Sequence, residues 1–523
     1  MSDADRRDAP RRVHFCIPTR RYQLTRKPAP ATAGVRDAYG CDRPGEPGAA
    51  RTRGATAPGR SPPRARMTVA THPRADALPR AALLRVLGIG FGIAVVVGGV
   101  IGQGIMRTPG IVAGALQQPA WILAAWAAVG LFTFIDAFAL VELGASVPHA
   151  GGPYAFVGRA FGPIPGAVIG WSDWLNQIFG LAFMAVAFAE FSQRFALLSA
   201  APTGALAVAL IAACWLLNWL GTSVSGVSQN IGSALKALML LAIIALCFAS
   251  HGPPVGAAIF AQAHPALTIA GVAVALRAIL NTYAGWNTCA YFCEEVQAPE
   301  KNLARATFIG IAVVTGLYLL VNVALLHALS VDQIAASKLP VADAVATVLG
   351  PGGGAVTTAF AMISVAAIAN LTVMAMTRIA FGMARSGVLP GVLARVAGTG
   401  TPRAALLCGV VIGGVLASTG AYLQLMSIGA TMAIMINIAV DLAALGLRRR
   451  EPALERPYRM PLYPLPPLLG IGINLALLVA LFWEDPVNSA LAIAAPIAAA
   501  VSYLAIHRAR SRRYSAPKAG GSA

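Results

Sequence analysis

Residues 98–110 read GGVIGQGIMRTPG, and they offer main chain rather than side chain as the chemical surface. Gly102 and Gly104 flank a single residue, and Pro109 with Gly110 follow shortly after. Glycine weakens a helix and proline breaks one. An opening at Gly102–Gly104 frees amide N–H groups and starts a new half-helix near Ile105, whose positive dipole end attracts an anion such as a carboxylate. Glycine also lets a ligand approach the backbone closely. The pattern loosens a second time around Ala284, Gly285, Trp286 and Asn287, within NTYAGWNTCAYFCEE at 281–295. Carbonyls freed there accept from an ammonium. A molecule with both groups on one carbon, an α-amino acid, matches the pair of openings.

These two openings sit inside long apolar runs. The chain of 523 residues is 57% hydrophobic and only 12% charged. A soluble chain would carry about twice that charged fraction. Apolar stretches long enough to cross a bilayer recur from Leu83 to Ile506. They divide into twelve spans, at 84–117, 121–145, 165–192, 204–221, 229–249, 268–296, 306–328, 353–384, 404–420, 424–446, 467–483 and 487–506. The expected class is an all-α integral membrane protein, since a barrel would show short alternating segments instead. The first, third, sixth and eighth spans exceed a simple crossing and must tilt, break or protrude. The openings fall in spans one and six, five apart, so spans one to five and six to ten form two repeats of opposite direction. In one segment alone such residues equally serve close helix packing or a kink. Paired interruptions in matching spans of inverted repeats point to a substrate site at the bilayer midplane.

The formal charge of +19 is distributed unevenly. Residues 1–85 hold 18 Lys/Arg and 7 Asp/Glu. The remaining basic residues cluster in alternate loops, as in Arg448–Arg450, whereas the opposite loops hold little beyond Arg194 and Lys338. That is the positive-inside pattern, and it places both termini in the cytoplasm of a multi-pass cell-membrane protein. The expected organisation is a disordered Arg/Pro-rich tail at 1–80, a transport core at 81–447, a loop at 448–466, two further helices at 467–507, and a basic tail at 508–523. An Arg-rich tail could hold anionic lipid or RNA, but a solvated tail, or a start at Met67, is the simpler reading, so the bilayer is a partner and nucleic acid is not. Cys289 and Cys293 share a helical face, yet no histidine joins them, so no metal is expected. Seven histidines form no cluster, and no phosphate loop or nucleophile elbow is present. No cofactor and no enzyme activity are expected.

Five ordered motifs carry a resemblance over about residues 84–507. GGVIGQGIMRTPG resembles the first-helix signature of the amino acid–polyamine–organocation superfamily. ALVELGASVPHAGGPYAFVGRAFG (139–162) is similar to its second-helix motif and following loop. YAGWNTCAYFCEEVQAPEKNLARA (283–306) resembles the sixth-helix segment of the L-type amino acid transporter branch. TRIAFGMARSGVLPG (377–391) and RRREPALERPYRMPLYP (448–464) resemble the end of the eighth helix and the loop before the eleventh. The resemblance implies a five-plus-five inverted-repeat fold of twelve transmembrane helices, with helices one and six broken, two extra C-terminal helices, and alternating access.

The resemblance also implies positions. The substrate carboxylate should meet backbone around Ile101, Gly102, Gln103, Gly104 and Ile105. The amine or gate should lie near Leu280, Asn281, Tyr283, Ala284 and Trp286. Two departures stand out. Asn281 occupies a place where many relatives carry an aromatic gate, and Gln103 fills the middle of the first opening, where a smaller residue is common. Lys236, by resemblance, takes the place of a sodium ion and touches first-helix carbonyls around Gly98 and Gly99; as an interfacial residue it would instead snorkel. Ionisable groups inside spans are candidates by default. Glu294 or Glu295 could pair with Arg378 as an inner gate or as static glue, and Asn370 could line the pocket. Glu142 and Asp173 fall near the inner surface, and Arg107 could pair with Glu190.

The function these features imply is a secondary permease for α-amino acids, neutral ones foremost, independent of sodium, running as a proton symporter or an exchanger. A non-transporting amino acid receptor and an amine or polyamine carrier are the alternatives. Residues 193–203 contain no cysteine, so a disulfide-linked partner subunit is not expected.

Overall fold

The computed structural model describes residues 83, 85, 87–102, 104–249 and 267–515. The expected tail at 1–80, the Met67 start and Gln103 lie outside the described residues. Helix is the dominant conformation from Ile89 onward, for a simple reason. Backbone groups surrounded by apolar side chains and lipid must bond within their own segment.

The first expected span is two helices, α1 (Ile89–Val100) and α2 (Gly104–Leu116), bent by 48° at the intervening residues. Span two is α3 (Pro119–Ser146), followed by a short helix α4 (Pro153–Phe161). Spans three, four and five are α5 (Pro163–Ser192), α6 (Thr203–Leu220) and α7 (Thr222–Ala249). Span six begins as α8 (Ile269–Tyr283) and ends as a 3-10 helix at Trp286–Phe292. Span seven is α9 (Pro299–Ala328), and two short helices follow, α10 (Val331–Ala336) and α11 (Pro340–Leu349). Spans eight to twelve are α12 (Gly353–Arg385), α13 (Arg403–Ser418), α14 (Tyr422–Arg450), α15 (Leu465–Glu484) and α16 (Pro486–Ser515).

Eight of these helices are long and apolar enough to cross a membrane, and the bent pair makes a ninth. The shorter apolar helices α6 and α13 and the apolar part of α16 account for the other three expected spans. Span five starts at Thr222, about two turns before the expected 229, and the polar residues Thr222 and Ser225 of that added stretch are buried rather than exposed. The last helix runs on to Ser515, past the expected end at 506.

Local chemistry sets most boundaries. Proline opens α3, α4, α5, α9 and α11 at the first helical turn, where its missing N–H costs nothing. Gly162 and Gly221 follow α4 and α6 in positive-φ conformations that side chains avoid. Ser330 and Gln333 form a reciprocal capping box at α10.

The helices pack as two groups. Spans one, two, six and seven contact one another through α1–α9, α2–α8 and α3–α9. Spans three, four, eight and nine do so through α5–α12, α5–α6 and α6–α13. Leu131, Leu238, Val411 and Val415 remain exposed on the outside, as lipid-facing side chains would. Inside the first group, Trp126 of α3 stacks edge-on against Tyr318 of α9 at 5.4 Å, and Tyr318 against Tyr283 of α8 at 5.2 Å. This cluster fixes span six against spans two and seven. Trp126→Ala should therefore cost on the order of 3–5 kcal/mol, by analogy with buried aromatic truncations. A lowered apparent melting temperature of the purified protein in detergent is the expected result.

Candidate substrate site at the two helix breaks

The breaks in spans one and six meet backbone to backbone. A Cβ on Gly99 would lie 2.9 Å from the Gly285 carbonyl oxygen, and one on Gly285 would lie 2.6 Å from the Gly99 carbonyl oxygen. Gly285 also sits at φ +104°, so glycine is demanded there by both space and conformation. Gly98 faces Ser233 and Gln229 of α7 with no room for a side chain. Gly104 faces Thr282 of α8, whose methyl lies 3.0 Å from the position a Cβ would take.

At the first break the helix path ends on Ile101, whose backbone is extended and whose N–H still donates to Val97 O at 2.9 Å. The carbonyls released beyond it are met by donors from neighbouring helices. Lys236 Nζ donates to Gly98 O at 2.6 Å and to Ile101 O at 2.9 Å. The Tyr318 hydroxyl donates to Val100 O at 2.9 Å. Lys236 is completely buried, and among the described residues no carboxylate pairs with it. The carbonyl end of α1 supplies its counter-charge. The expected contact with Gly99 is replaced by one with Ile101, because Gly99 is pressed against Gly285 instead.

The amides have no such company. Among the described residues, no hydrogen bond reaches the N–H groups of Gly102, Gly104 or Ile105, although Gly102 and Ile105 are buried. Such orphan donors at a helix start are an anion-binding arrangement. Gln103 lies outside the described residues. On the far side of this half-helix, Thr108 Oγ1 and Thr282 Oγ1 are 2.6 Å apart and lock α2 to α8.

At the second break, α8 ends at Tyr283 and the chain leaves helical geometry at Ala284 and Gly285. The Gly285 carbonyl accepts from the Thr288 hydroxyl at 2.8 Å. Tyr283 and Trp286 turn inward and are buried, whereas Asn281 and Ala284 remain exposed and Leu280 is half-buried. Asn370 bonds to spans four and five rather than to the breaks. It accepts from Asn218 Nδ2 at 2.9 Å and donates to Gln229 Oε1 at 3.4 Å, and Gln229 donates to Ser233, which donates to Ala94 O. This chain of amides and hydroxyls joins spans four, eight, five and one.

A cleft of about 310 Å³ lies on the α2 side, lined in part by Met106, Arg107, Arg194 and Thr358. Arg107 is exposed there, and no ion pair joins it to Glu190 among the described residues. Arg277 pairs with Glu484 instead.

The opposite, arginine-rich end is tied by ion pairs. Arg378 grips Glu295 with two hydrogen bonds, at 2.7 and 3.0 Å, both side chains being fully buried. Arg385 grips Glu294 at 2.6 and 2.8 Å, so the two adjacent glutamates take different partners from one helix, α12. Both lie in the turn after the 3-10 helix, where successive side chains leave the chain in different directions. Glu294 also accepts from the Ala150 amide at 2.9 Å. His149 receives Arg385 at Nε2 and donates from Nδ1 to Ala150 O. Burial first, and then the Arg385 charge, hold the His149 imidazole below its ordinary value. The neutral ring that this contact needs is thus present at neutral pH, and its contribution is lost as pH falls through the depressed value. Leu87, just before α1, exchanges backbone hydrogen bonds with Glu295 and Gln297. Glu142 is held by Arg448 and Arg456, and Asp173 accepts from Tyr291 at 2.7 Å.

Sequence reasoning passed over Thr282 and Tyr318, ordinary residues whose role comes from the helix they face. It also passed over Asp136 and Asp441, although an acid within an apolar run, as in FTFIDAFAL and NIAVDLAAL, is a legible signal.

With a broken first span, a broken sixth span and orphan amides between them, comparison with known proteins becomes decisive. The profile of the family described as amino acid permease matches residues 92–506. The chain belongs to that family. The serine/threonine exchanger SteT of Bacillus subtilis (strain 168) is 27% identical over 418 residues, covering 79% of this chain and 94% of the relative. The b(0,+)-type amino acid transporter 1 of Mus musculus is 27% identical over 420 residues, covering 78% and 85%. The large neutral amino acids transporter small subunit 2 of Mus musculus is 28% identical over 460 residues, covering 82% and 83%. This permease-family chain is thus a membrane transporter-family protein and not an enzyme.

Lys236→Met keeps the apolar stem but removes both donors. The Gly98 and Ile101 carbonyls would then be buried without partners, at about 1–3 kcal/mol each. Thermal unfolding of the purified variant should begin markedly earlier than in the wild type. An unchanged melting temperature would mean that other donors serve these carbonyls.

Proposed function

We propose that this permease-family member moves α-amino acids, neutral ones foremost, across the cell membrane by alternating access, without sodium. The observation that carries the proposal is the asymmetry at the first break. Its carbonyls are bonded to Lys236 and Tyr318, while the Gly102, Gly104 and Ile105 amides are unbonded among the described residues. Three such donors at the positive end of α2 suit a carboxylate. Main chain freed at Ala284–Gly285 suits the ammonium, and Leu280, Asn281, Tyr283 and Trp286 surround that side.

Lys236 supports the sodium-independent reading. A fixed ammonium already sits on the carbonyls that a metal ion would need. The names of the relatives, a serine/threonine exchanger and a large neutral amino acid transporter, favour small or apolar neutral side chains for this chain too. In this reading the two helix groups rock against each other around the breaks. Glu295–Arg378 and Glu294–Arg385 close the arginine-rich side, and Asn370 couples span eight to spans four and five. Both termini lie in the cytoplasm, and no disulfide-linked subunit is required.

The test is uptake of labelled L-serine and L-leucine into proteoliposomes, with each of the twenty amino acids as competitor. Neutral amino acids should compete, and replacing sodium by choline should leave the flux unchanged. Gly102→Val should reduce uptake to background, since even a Cβ there would lie 2.7 Å from Ile368 Cδ1. A folded Gly102→Val protein with wild-type affinity would remove the carboxylate from this position.

A further inference from the structure

Among the described residues, two buried aspartates of the membrane-spanning region have neither a cation nor a hydroxyl partner. Asp136 of α3 and Asp441 of α14 are 7% and 2% exposed. They converge on Gly470 of α15. A Cβ added there would lie 2.6 Å from Asp136 Oδ1 and would collide with Asp441 Oδ2. The absence of a side chain at Gly470 is what lets both carboxylates occupy this space. Among the described residues no lysine, arginine or histidine pairs with either, and Asp441 Oδ2 is buried without a hydrogen-bond partner. Both acids line a narrow crevice together with Trp286, Asn287 and Asn437. The crevice therefore reaches the first residues after the break in span six.

Two carboxylates this close, in apolar surroundings, repel each other when both are charged, and a proton on one of them relieves that repulsion. Several other ionisable groups on the elements packed here have partners of their own. Glu142 of α3 is paired with Arg448 of α14 and with Arg456, Asp173 of α5 is bonded to Tyr291, and Glu484 of α15 is paired with Arg277. Tyr318 of α9 is bonded to Val100, and Arg159 of α4 to Glu451. Of the side chains lining the crevice, only the two aspartates are ionisable.

We infer that Asp136 and Asp441 form a proton-binding site that couples a proton gradient to amino acid movement, making the transporter a proton symporter. This inference rests on the permease reading above. Span two packs against span six, whereas Asp441 belongs to span ten, which packs against span three. Rocking of the first group relative to span ten changes the separation of the two carboxylates. A proton from one aqueous face binds a carboxylate oxygen and lets the pair approach. Its loss to the other face leaves two charges, which drive α3 and α14 apart. No other bond is made or broken in this cycle.

The experiment uses the full chain in proteoliposomes with labelled L-serine and L-leucine. At equal pH, exchange against internal unlabelled substrate tests the permease reading alone; no exchange would remove that reading. With the outside one pH unit more acid, one proton per substrate raises steady accumulation about tenfold. Asp136→Asn and Asp441→Asn are isosteric, and each should abolish this gradient-driven rise while exchange at equal pH remains measurable. Asp441→Glu should retain part of the rise. Wild-type accumulation that ignores the gradient overturns the inference, as do Asn variants that respond like wild type. Displacement of label by L-lysine or L-arginine, lost in both Asn variants, would make the pair a receptor for cationic side chains and overturns it as well. Should the Asn variants not fold, proton entry accompanying substrate addition to wild type, followed with an internal pH dye, decides the matter, and its absence is a contradiction.

Discussion

A backbone amide or carbonyl surrounded by hydrocarbon has no water to turn to, and this constraint organises the structure. Most helices meet it internally. Span one meets it only by borrowing, because its path opens after Val100. Lys236 reaches from span five to Gly98 and Ile101, and Tyr318 reaches from span seven to Val100. The break is thus a supported feature of the fold. Gly99 and Gly285 allow the two broken spans to touch there, a contact closer than any pair of side chains permits. Among the described residues, what is left over is a set of unbonded amides, and the proposed function rests on that remainder.

The same accounting separates the buried acids into two kinds. Glu295, Glu142 and Asp173 each have a guanidinium or a hydroxyl at hydrogen-bond distance. Such groups hold helices in register, and breaking one partner of a buried pair costs far more than the pair contributes. Among the described residues, Asp136 and Asp441 have no such partner and converge on a glycine. A stability argument explains the first kind and leaves the second unexplained, which is why the second kind carries the coupling inference.

The helical frame was legible in the sequence because bilayer thickness turns hydropathy into length. The ends were less so. Span five begins at Thr222 instead of 229 since Thr222 and Ser225, which look like interfacial residues, are buried and continue the helix. The breaks were visible through glycine and proline, whose backbone effects are intrinsic to the residue. Partner choice was not. Glu294 and Glu295 are adjacent, and only three-dimensional packing assigns Arg385 to one and Arg378 to the other. Lys236 was readable as a donor to the first span, yet Ile101 in place of Gly99 as its second acceptor depends on where Gly285 presses. Asp136 and Asp441 lie far apart in sequence, and nothing in either segment announces the other.

The central claim is that bare main chain at the first break holds the substrate carboxylate. A cryo-electron microscopy structure of the full chain with bound L-serine or L-leucine tests it most directly. The account predicts carboxylate density within about 3 Å of the Gly102, Gly104 and Ile105 amides. Density for the substrate carboxylate elsewhere, with those amides bonded to protein or wound into a continuous helix, would contradict it.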